Sequence, residues 1–305
     1  MGLGSLYITH STHRFAGIEG NEKSKYRIVG VPFDSTTSYR PGTRFAPDYI
    51  RQAASALESN SYFLKDVYLE DAAPYDEGDV VVSIGDAVET LSRVQAVVEE
   101  VSGRGIPVLL GGEHTITLGA YRALAHLRPC LVVFDAHLDL RDEYLGLKVG
   151  HATFMRRLVE KAPPPRIFYL GSRAFSREEL EATRRLNVSI RAAQDFLSLG
   201  PVNVASSVIS ELRECDSIYI SVDMDVFDPA FAPGVGNPEP LGLTPLDVLT
   251  VINRVVDERL AGADVVEVSP PYDTGGVTSA LAAKALLEII LKHFALTGRK
   301  RAQIA

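Results

Sequence analysis

Apolar runs without polar alternation recur along the chain, at residues 27–32, 79–84, 107–110, 131–135, 167–171, 188–190, 218–223 and 264–268. Strands covered on both faces need such blocks, whereas a half-exposed strand alternates. Between them lie stretches at 47–58, 87–102, 117–126, 153–161, 177–185, 201–213, 245–258 and 279–294, whose patterning predicts helices. Regular alternation of the two kinds predicts an α/β fold with a parallel sheet and helices on both faces. Eight strands suit either a closed barrel or an open sheet, and the pattern alone does not choose. In both, ligands gather at the carboxyl ends of the strands. Pro163-Pro164-Pro165 is a stiff connector, too short to mark a domain boundary. One domain over 1–305 is expected, with 1–25 as an N-terminal extension.

Five polar segments follow predicted strand ends. Gly111-Gly112-Glu113-His114 follows the run at 108–110, and the glycines allow the tight turn that lets His114 face a cleft. Asp135, His137 and Asp139 follow 131–134, and Asp223 and Asp225 end the run at 218–222. Glu267 ends another run, and His151 sits in a loop before a helix. On a strand, residues at i and i+2 point to the same side, so these spacings are expected to gather carboxylates and imidazoles. A single His or Asp at a strand end more often caps a turn. Here three of the seven histidines fall in such loops together with five carboxylates. This set suffices for two metal ions and implies hydrolysis by an activated water. Imidazole and carboxylate without thiolate favour Mn²⁺ over a structural zinc or iron–sulfur site.

Composition is ordinary for a globular protein, with 46% hydrophobic and 23% charged residues. The net charge of −8 argues against nucleic acid or an anionic membrane as partner. No N-terminal targeting segment and no apolar run of membrane-spanning length is expected. Cys130 and Cys215 both lie in or beside apolar runs, which predicts buried, reduced thiols and a reducing, cytoplasmic setting.

Three of these segments resemble the signatures of the ureohydrolases, the family of arginase, agmatinase, guanidinobutyrase and formimidoylglutamase. They are Gly-Gly-Glu-His at 111–114, Phe-Asp-Ala-His-Leu-Asp at 134–139, and Ser-Val-Asp-Met-Asp-Val-Phe-Asp-Pro-Ala-Phe-Ala-Pro-Gly at 221–234. The resemblance runs from residue 30 to residue 270. It implies a single three-layer α-β-α domain with a central eight-stranded parallel sheet. It also implies two Mn²⁺ ions, the first held by His114, Asp135, Asp139 and Asp223, the second by Asp135, His137, Asp223 and Asp225. By the same resemblance Glu267 pairs with a substrate guanidinium, Asp139 handles the proton of a metal-bridging hydroxide, and His151 shuttles protons at the mouth. Trimers or hexamers are the family's common assemblies, so a homo-oligomer is expected.

Residues 31–42 and 232–240 are most similar to agmatinases, which makes agmatine the expected substrate, with arginine or guanidinobutyrate as alternatives. Arginases commonly carry Asp at the position of Glu113 and Asn at that of Arg141. Asp142 and Glu143 are candidates to attract the far ammonium of agmatine, although a solvated charged turn with Arg141 explains them better. Thr115, Leu241 and the run Ala152-Thr153-Phe154-Met155 depart from the common pattern around the outer pocket.

Overall fold

A computed structural model describes residues 2–20 and 22–298. The ends of the span 1–305 and of the extension 1–25 therefore fall partly outside the described residues. Nine strands form one open sheet: β1 Ile8–Thr9, β2 Tyr26–Gly30, β3 Tyr75–Val80, β4 Ile106–Leu110, β5 Cys130–Phe134, β6 Ile167–Leu170, β7 Val188–Arg191, β8 Ile218–Asp223 and β9 Leu260–Val266. The helices are α1 Ala46–Ala56, α2 Leu69–Ala72, α3 Ala87–Ser102, α4 Ile116–Leu124, α5 Phe154–Lys161, α6 Arg177–Thr183, α7 Ala193–Leu199, α8 Pro201–Leu212, α9 Pro245–Val255 and α10 Val277–Thr297.

The strand order is β1-β3-β2-β4-β9-β8-β5-β6-β7. Eight strands run parallel, and β1 adds an antiparallel edge through Ile8 opposite Val80. The expected eight-stranded sheet thus has a ninth strand, supplied by the segment expected to be an extension. Gly4 is buried there too, and a side chain on it would meet the backbone of Ala96 and Val97 in α3.

Alternate strand residues feed two apolar layers. Val132 and Phe134 face a cluster with Ile50, Val208, Ile252, Leu286 and Ile290. Leu131 and Val133 face a second with Val94, Val97, Leu118, Tyr121 and Phe154. Both sides of each central strand are buried, which is why the sequence shows blocks rather than alternation. At about 25 cal/mol per Å² of apolar surface removed from water, these two layers are the main favourable term in folding.

Two expectations are corrected. Cys130 and Cys215 form a disulfide, with Cα atoms 5.9 Å apart. Both are buried as expected, but Cys130 opens β5 and Cys215 lies just before its neighbour β8, where Cys130 pairs with Ile218. Adjacent parallel strands thereby bring together thiols 85 residues apart, and the argument from free thiols to a reducing setting falls. Second, the helix spanning Thr274–Thr297 is long and apolar enough to cross a membrane by length and composition. Its buried face, including Leu286, Ile289 and Ile290, packs on α1, α9 and β9, so its apolarity is spent on the core.

Candidate active site

The loops of interest leave the carboxyl ends of β4, β9, β8 and β5, four strands adjacent at the sheet centre. Between β4 and β5 the chain jumps across β9 and β8, a change of direction that opens a crevice in α/β sheets. After β4 the chain turns at Gly112, where a Cβ would lie 2.0 Å from the Phe33 carbonyl oxygen. The next amide, of Glu113, donates to that same oxygen at 2.8 Å. The turn delivers His114 into the crevice, immediately before α4.

The expected i, i+2 gathering occurs, but not through strand pleating. Asp135 and Asp223 lie at strand ends and fold the chain back on themselves. The Asp135 carboxylate accepts from the His137 amide at 2.6 Å, and the Asp223 carboxylate accepts from the Asp225 amide at 2.9 Å. A carboxylate capping the amide two residues on is an Asx turn. Asp139 and Glu267 have left-handed backbones, with φ of 52° and 67°. Such conformations cost non-glycine residues energy and concentrate where function demands an unusual side-chain direction.

Two clusters result. His114 Nδ1 is 3.1 Å from Asp135 Oδ2, 3.1 Å from Asp223 Oδ2 and 3.4 Å from Asp139 Oδ2. His137 Nδ1 is 2.9 Å from Asp225 Oδ2 and 3.6 Å from Asp135 Oδ1. His114, Asp135 and Asp223 form one group able to hold a cation, and Asp135, His137 and Asp225 form another, with Asp135 in both.

The donor set fits two hard divalent cations. His114 Nδ1 and Asp135 Oδ2 are buried and find no hydrogen-bond partner in the protein, an arrangement that is expensive unless something else satisfies them. The charges agree. Burial and the negative charges of Asp225 and Asp135 hold the Asp223 carboxyl well above its usual range. Burial and Asp135 lift Asp139 to about 7. Burial alone would depress the two imidazoles, yet the surrounding carboxylates raise both His114 and His137 well above normal. Protons thus compensate an excess of buried negative charge that divalent cations would neutralise.

Above the clusters opens a cavity of about 340 Å³. Glu267 enters its wall, with Oε1 accepting from the His114 amide at 2.8 Å. Burial and the Glu113 carboxylate raise its pKa well above the usual range. His151 lines the rim, and its Nε2 is 3.1 Å from Ser38 Oγ. Burial keeps this imidazole neutral, with its pKa lowered to about 4. All eight residues singled out from the sequence therefore converge on one crevice.

Asp142 is not part of it. Its carboxylate pairs with Arg157 at 2.5 Å, away from the cavity, so the solvated charged turn is the correct account. Outside the two clusters and Glu267, the acidic groups lining the cavity are Glu179 and Glu239, the latter 3.9 Å from His137 Nε2. Arg141 lies 3.7 Å from Glu179 and stacks on Tyr144.

Three supporting groups have roles that the sequence does not announce, although Ser221 and Glu113 stand inside the segments 221–234 and 111–114. His114 Nε2 lies 3.0 Å from Ser221 Oγ, which donates to Asp264 at 2.6 Å. Asp264, fully buried, also accepts from Thr117 and Tyr219. An outer carboxylate of this kind fixes the orientation of a ligating imidazole. Glu113, also fully buried, accepts from the Thr36 amide and hydroxyl and from Thr115, tying the 34–37 loop to the turn after β4. A polar residue inside an apolar block, Asp264 beside Val265 and Val266, is the one sequence cue that could have exposed the first relay.

Comparison with known proteins agrees. The sequence profile of the arginase family matches residues 24–292. The agmatinase of Pyrococcus horikoshii is 39% identical over 270 residues, 87% of this chain and 90% of that one. The N(1)-aminopropylagmatine ureohydrolase of Thermococcus kodakarensis is 38% identical over 284 residues, 91% and 93% of the two chains. The structure of the agmatine ureohydrolase of Thermoplasma volcanium superposes with a TM-score of 0.84 at 41% identity, covering 93% of this chain and 94% of that one. The chain belongs to the arginase family, and it is a ureohydrolase, an enzyme that cleaves guanidino carbon–nitrogen bonds.

Proposed function

We propose that this ureohydrolase is a Mn²⁺-dependent agmatinase, converting agmatine and water to putrescine and urea. The observation that carries the reading is the pair of carboxylate–imidazole clusters sharing Asp135 beneath a cavity walled by Glu267. His114, Asp135, Asp139 and Asp223 would hold one cation, and Asp135, His137, Asp223 and Asp225 the other. Bound there, two divalent cations supply an acidified water and Lewis-acid stabilisation near neutral pH.

The remaining chemistry belongs to side chains. Glu267 faces the guanidinium, and a carboxylate–guanidinium contact fixes both the distance and the plane of the group to be attacked. A cationic substrate against Glu267 favours its ionised form, reversing the effect of burial. Asp139, 3.4 Å from His114 Nδ1 at the edge of the first cation group, is placed to take the proton that water loses on attack. The proton then passes to the departing amine nitrogen as its bond to the guanidino carbon breaks. His151, neutral and joined to Ser38 at the rim, relays protons with solvent.

The substrate assignment rests on the outer wall. Glu179 is buried, committed to Ser176 and Leu140 and adjacent to Arg141, which leaves Glu239 as the cavity carboxylate that suits a chain ending in an ammonium. Arg141 supports a second reading, a guanidino acid whose carboxylate it would meet. Urea release from agmatine, arginine and 4-guanidinobutyrate, assayed in parallel on Mn²⁺-loaded protein, decides between them. Agmatine is expected to be turned over fastest. Preference for a guanidino acid would overturn the agmatine assignment, and no urea from any of the three would overturn the proposed activity.

A further inference from the structure

Residues 171–174, just after β6, contribute none of the acids or imidazoles of the two clusters, yet they grip both loops that do. The amides of Arg173 and Ala174 donate to the Ala136 carbonyl at 2.8 and 2.9 Å. Ser172, fully buried, directs its hydroxyl between the carbonyls of Asp135 and His137, at 3.2 and 3.3 Å. The Arg173 guanidinium reaches the other way. It donates to the carbonyls of Asp225 at 2.7 Å, Val226 at 3.1 Å and Phe227 at 3.3 Å. It also donates to Glu239 at 2.8 Å and Pro240 at 3.0 Å in the cavity wall, and to Gly171 at 3.2 Å in its own turn.

Among the described residues, every hydrogen bond of this guanidinium goes to a backbone carbonyl. Burial lowers its pKa, so the charge is held there at a cost. Its five N–H donors in a rigid plane can serve several carbonyls at once, which an ammonium cannot. The two clusters differ in their need for such a brace. Asp223 ends β8 and is fixed by the sheet. Asp225 lies beyond the strand and must meet His137 and Asp135 from a separate loop. Any slip between the 135–139 and 225–227 loops therefore opens the His137–Asp225 cluster first.

We propose that Arg173 is a positioning residue: together with Ser172 it locks the two ligand-bearing loops to each other and sets the 239–240 wall of the cavity. The proposal rests on the two-cation reading of the site, and its test reads cation binding rather than turnover. Arg173→Gln and the conservative Arg173→Lys are titrated with Mn²⁺ by calorimetry after chelator stripping, alongside the unsubstituted protein. One binding step is expected to weaken by about 10- to 100-fold, the range seen when an outer partner of a metal ligand is lost. The other step is expected to stay within about threefold, because Asp223 ends β8 and Asp135 directly follows β5, so the sheet itself holds that group. At saturating Mn²⁺, KM for agmatine should rise more than kcat falls, since the 239–240 wall is displaced.

Equal weakening of both steps in parallel with a fall in Tm would reduce Arg173 to a general stabiliser and sink the proposal, as would unchanged binding in both variants. Should Arg173→Gln not fold, Arg173→Lys decides, because it keeps the charge and loses only the fork. Selective weakening of one step in a protein that releases no urea would remove the proposed activity and leave the brace standing.

Discussion

At the scale of single residues, side-chain direction separates this site from an ordinary cluster of surface acids. Glu267 is aimed by a left-handed backbone and by one hydrogen bond to the His114 amide, which leaves its other oxygen for a ligand. Glu267→Gln keeps the shape and removes the charge. It is expected to lower kcat/KM for agmatine about 100-fold, as loss of a charge-assisted contact worth roughly 2.7 kcal/mol requires. Mn²⁺ binding should persist, because the residue lies outside both cation groups. Undiminished turnover in that variant would remove Glu267 from the mechanism. The acids and imidazoles themselves were legible in the sequence because, His151 apart, each sits at or just past the end of an apolar block. Their supports were not. Arg173 acts on main-chain carbonyls, which leave no trace in a side-chain pattern, and Asp264 reaches His114 only through Ser221.

At the scale of elements, seven of the eight parallel strands could be read, since burial in the sheet writes a short apolar run. β3 could not be read correctly: expected at 79–84, it runs Tyr75–Val80, where Asp76, Glu77 and Asp79 break the apolar block. β1 could not, because two residues carry no periodicity. Nor could α2, four residues long and too short for a helical repeat to register, nor α7, which is separated from α8 by Gly200 alone. Contacts between elements were the least legible of all. The Cys130–Cys215 bond joins β5 and β8 at the edge opposite the ligand loops, across a loop of 85 residues. Chain-entropy arguments assign a closed loop of that size about 4.6 kcal/mol, an upper figure that native-state strain commonly reduces. The double variant Cys130→Ala, Cys215→Ala is expected to lose roughly 2–4 kcal/mol in denaturant unfolding. A midpoint that does not move, or that moves equally in the intact protein under strong reductant and in the variant under none, distinguishes an absent bond from a present one: the first result denies the staple, the second supports it.

At the scale of the whole molecule, the acidic centre makes stability depend on pH and on cations together. With its pKa raised from the usual carboxylate range to about 7, Asp139 holds a proton in the folded, cation-free protein over an interval where the unfolded chain has released it. Its contribution to stability is therefore present at low pH and is lost as pH rises through about 7. Cations displace that proton, so they bind more tightly as pH rises. The increase in Tm caused by Mn²⁺ should grow from pH 5 to pH 8, with protons released on binding. At a hundred times the dissociation constant, one site adds about 2.7 kcal/mol. A Tm increment independent of pH would contradict this linkage. Asp139→Asn should flatten it.

The position of β9 carries one more consequence. It is the last strand in the chain, yet it lies in the middle of the sheet, between β4 and β8. During synthesis the strands before it can assemble only as two separate half-sheets, one ending at β4 and the other at β8. The His114 loop belongs to the first half, and the Asp135 and Asp223 loops belong to the second. Until residues 260–266 slot between them, the halves have no shared hydrogen-bonded edge and the group of His114 with Asp135 and Asp223 cannot close, whereas Asp135, His137 and Asp225 all belong to the second half. Such long-range closure is slow and leaves two open strand edges exposed meanwhile. The nascent protein thus completes its catalytic centre in the same step that completes its sheet, and a chain ending before that strand would have neither a whole sheet nor the His114 group.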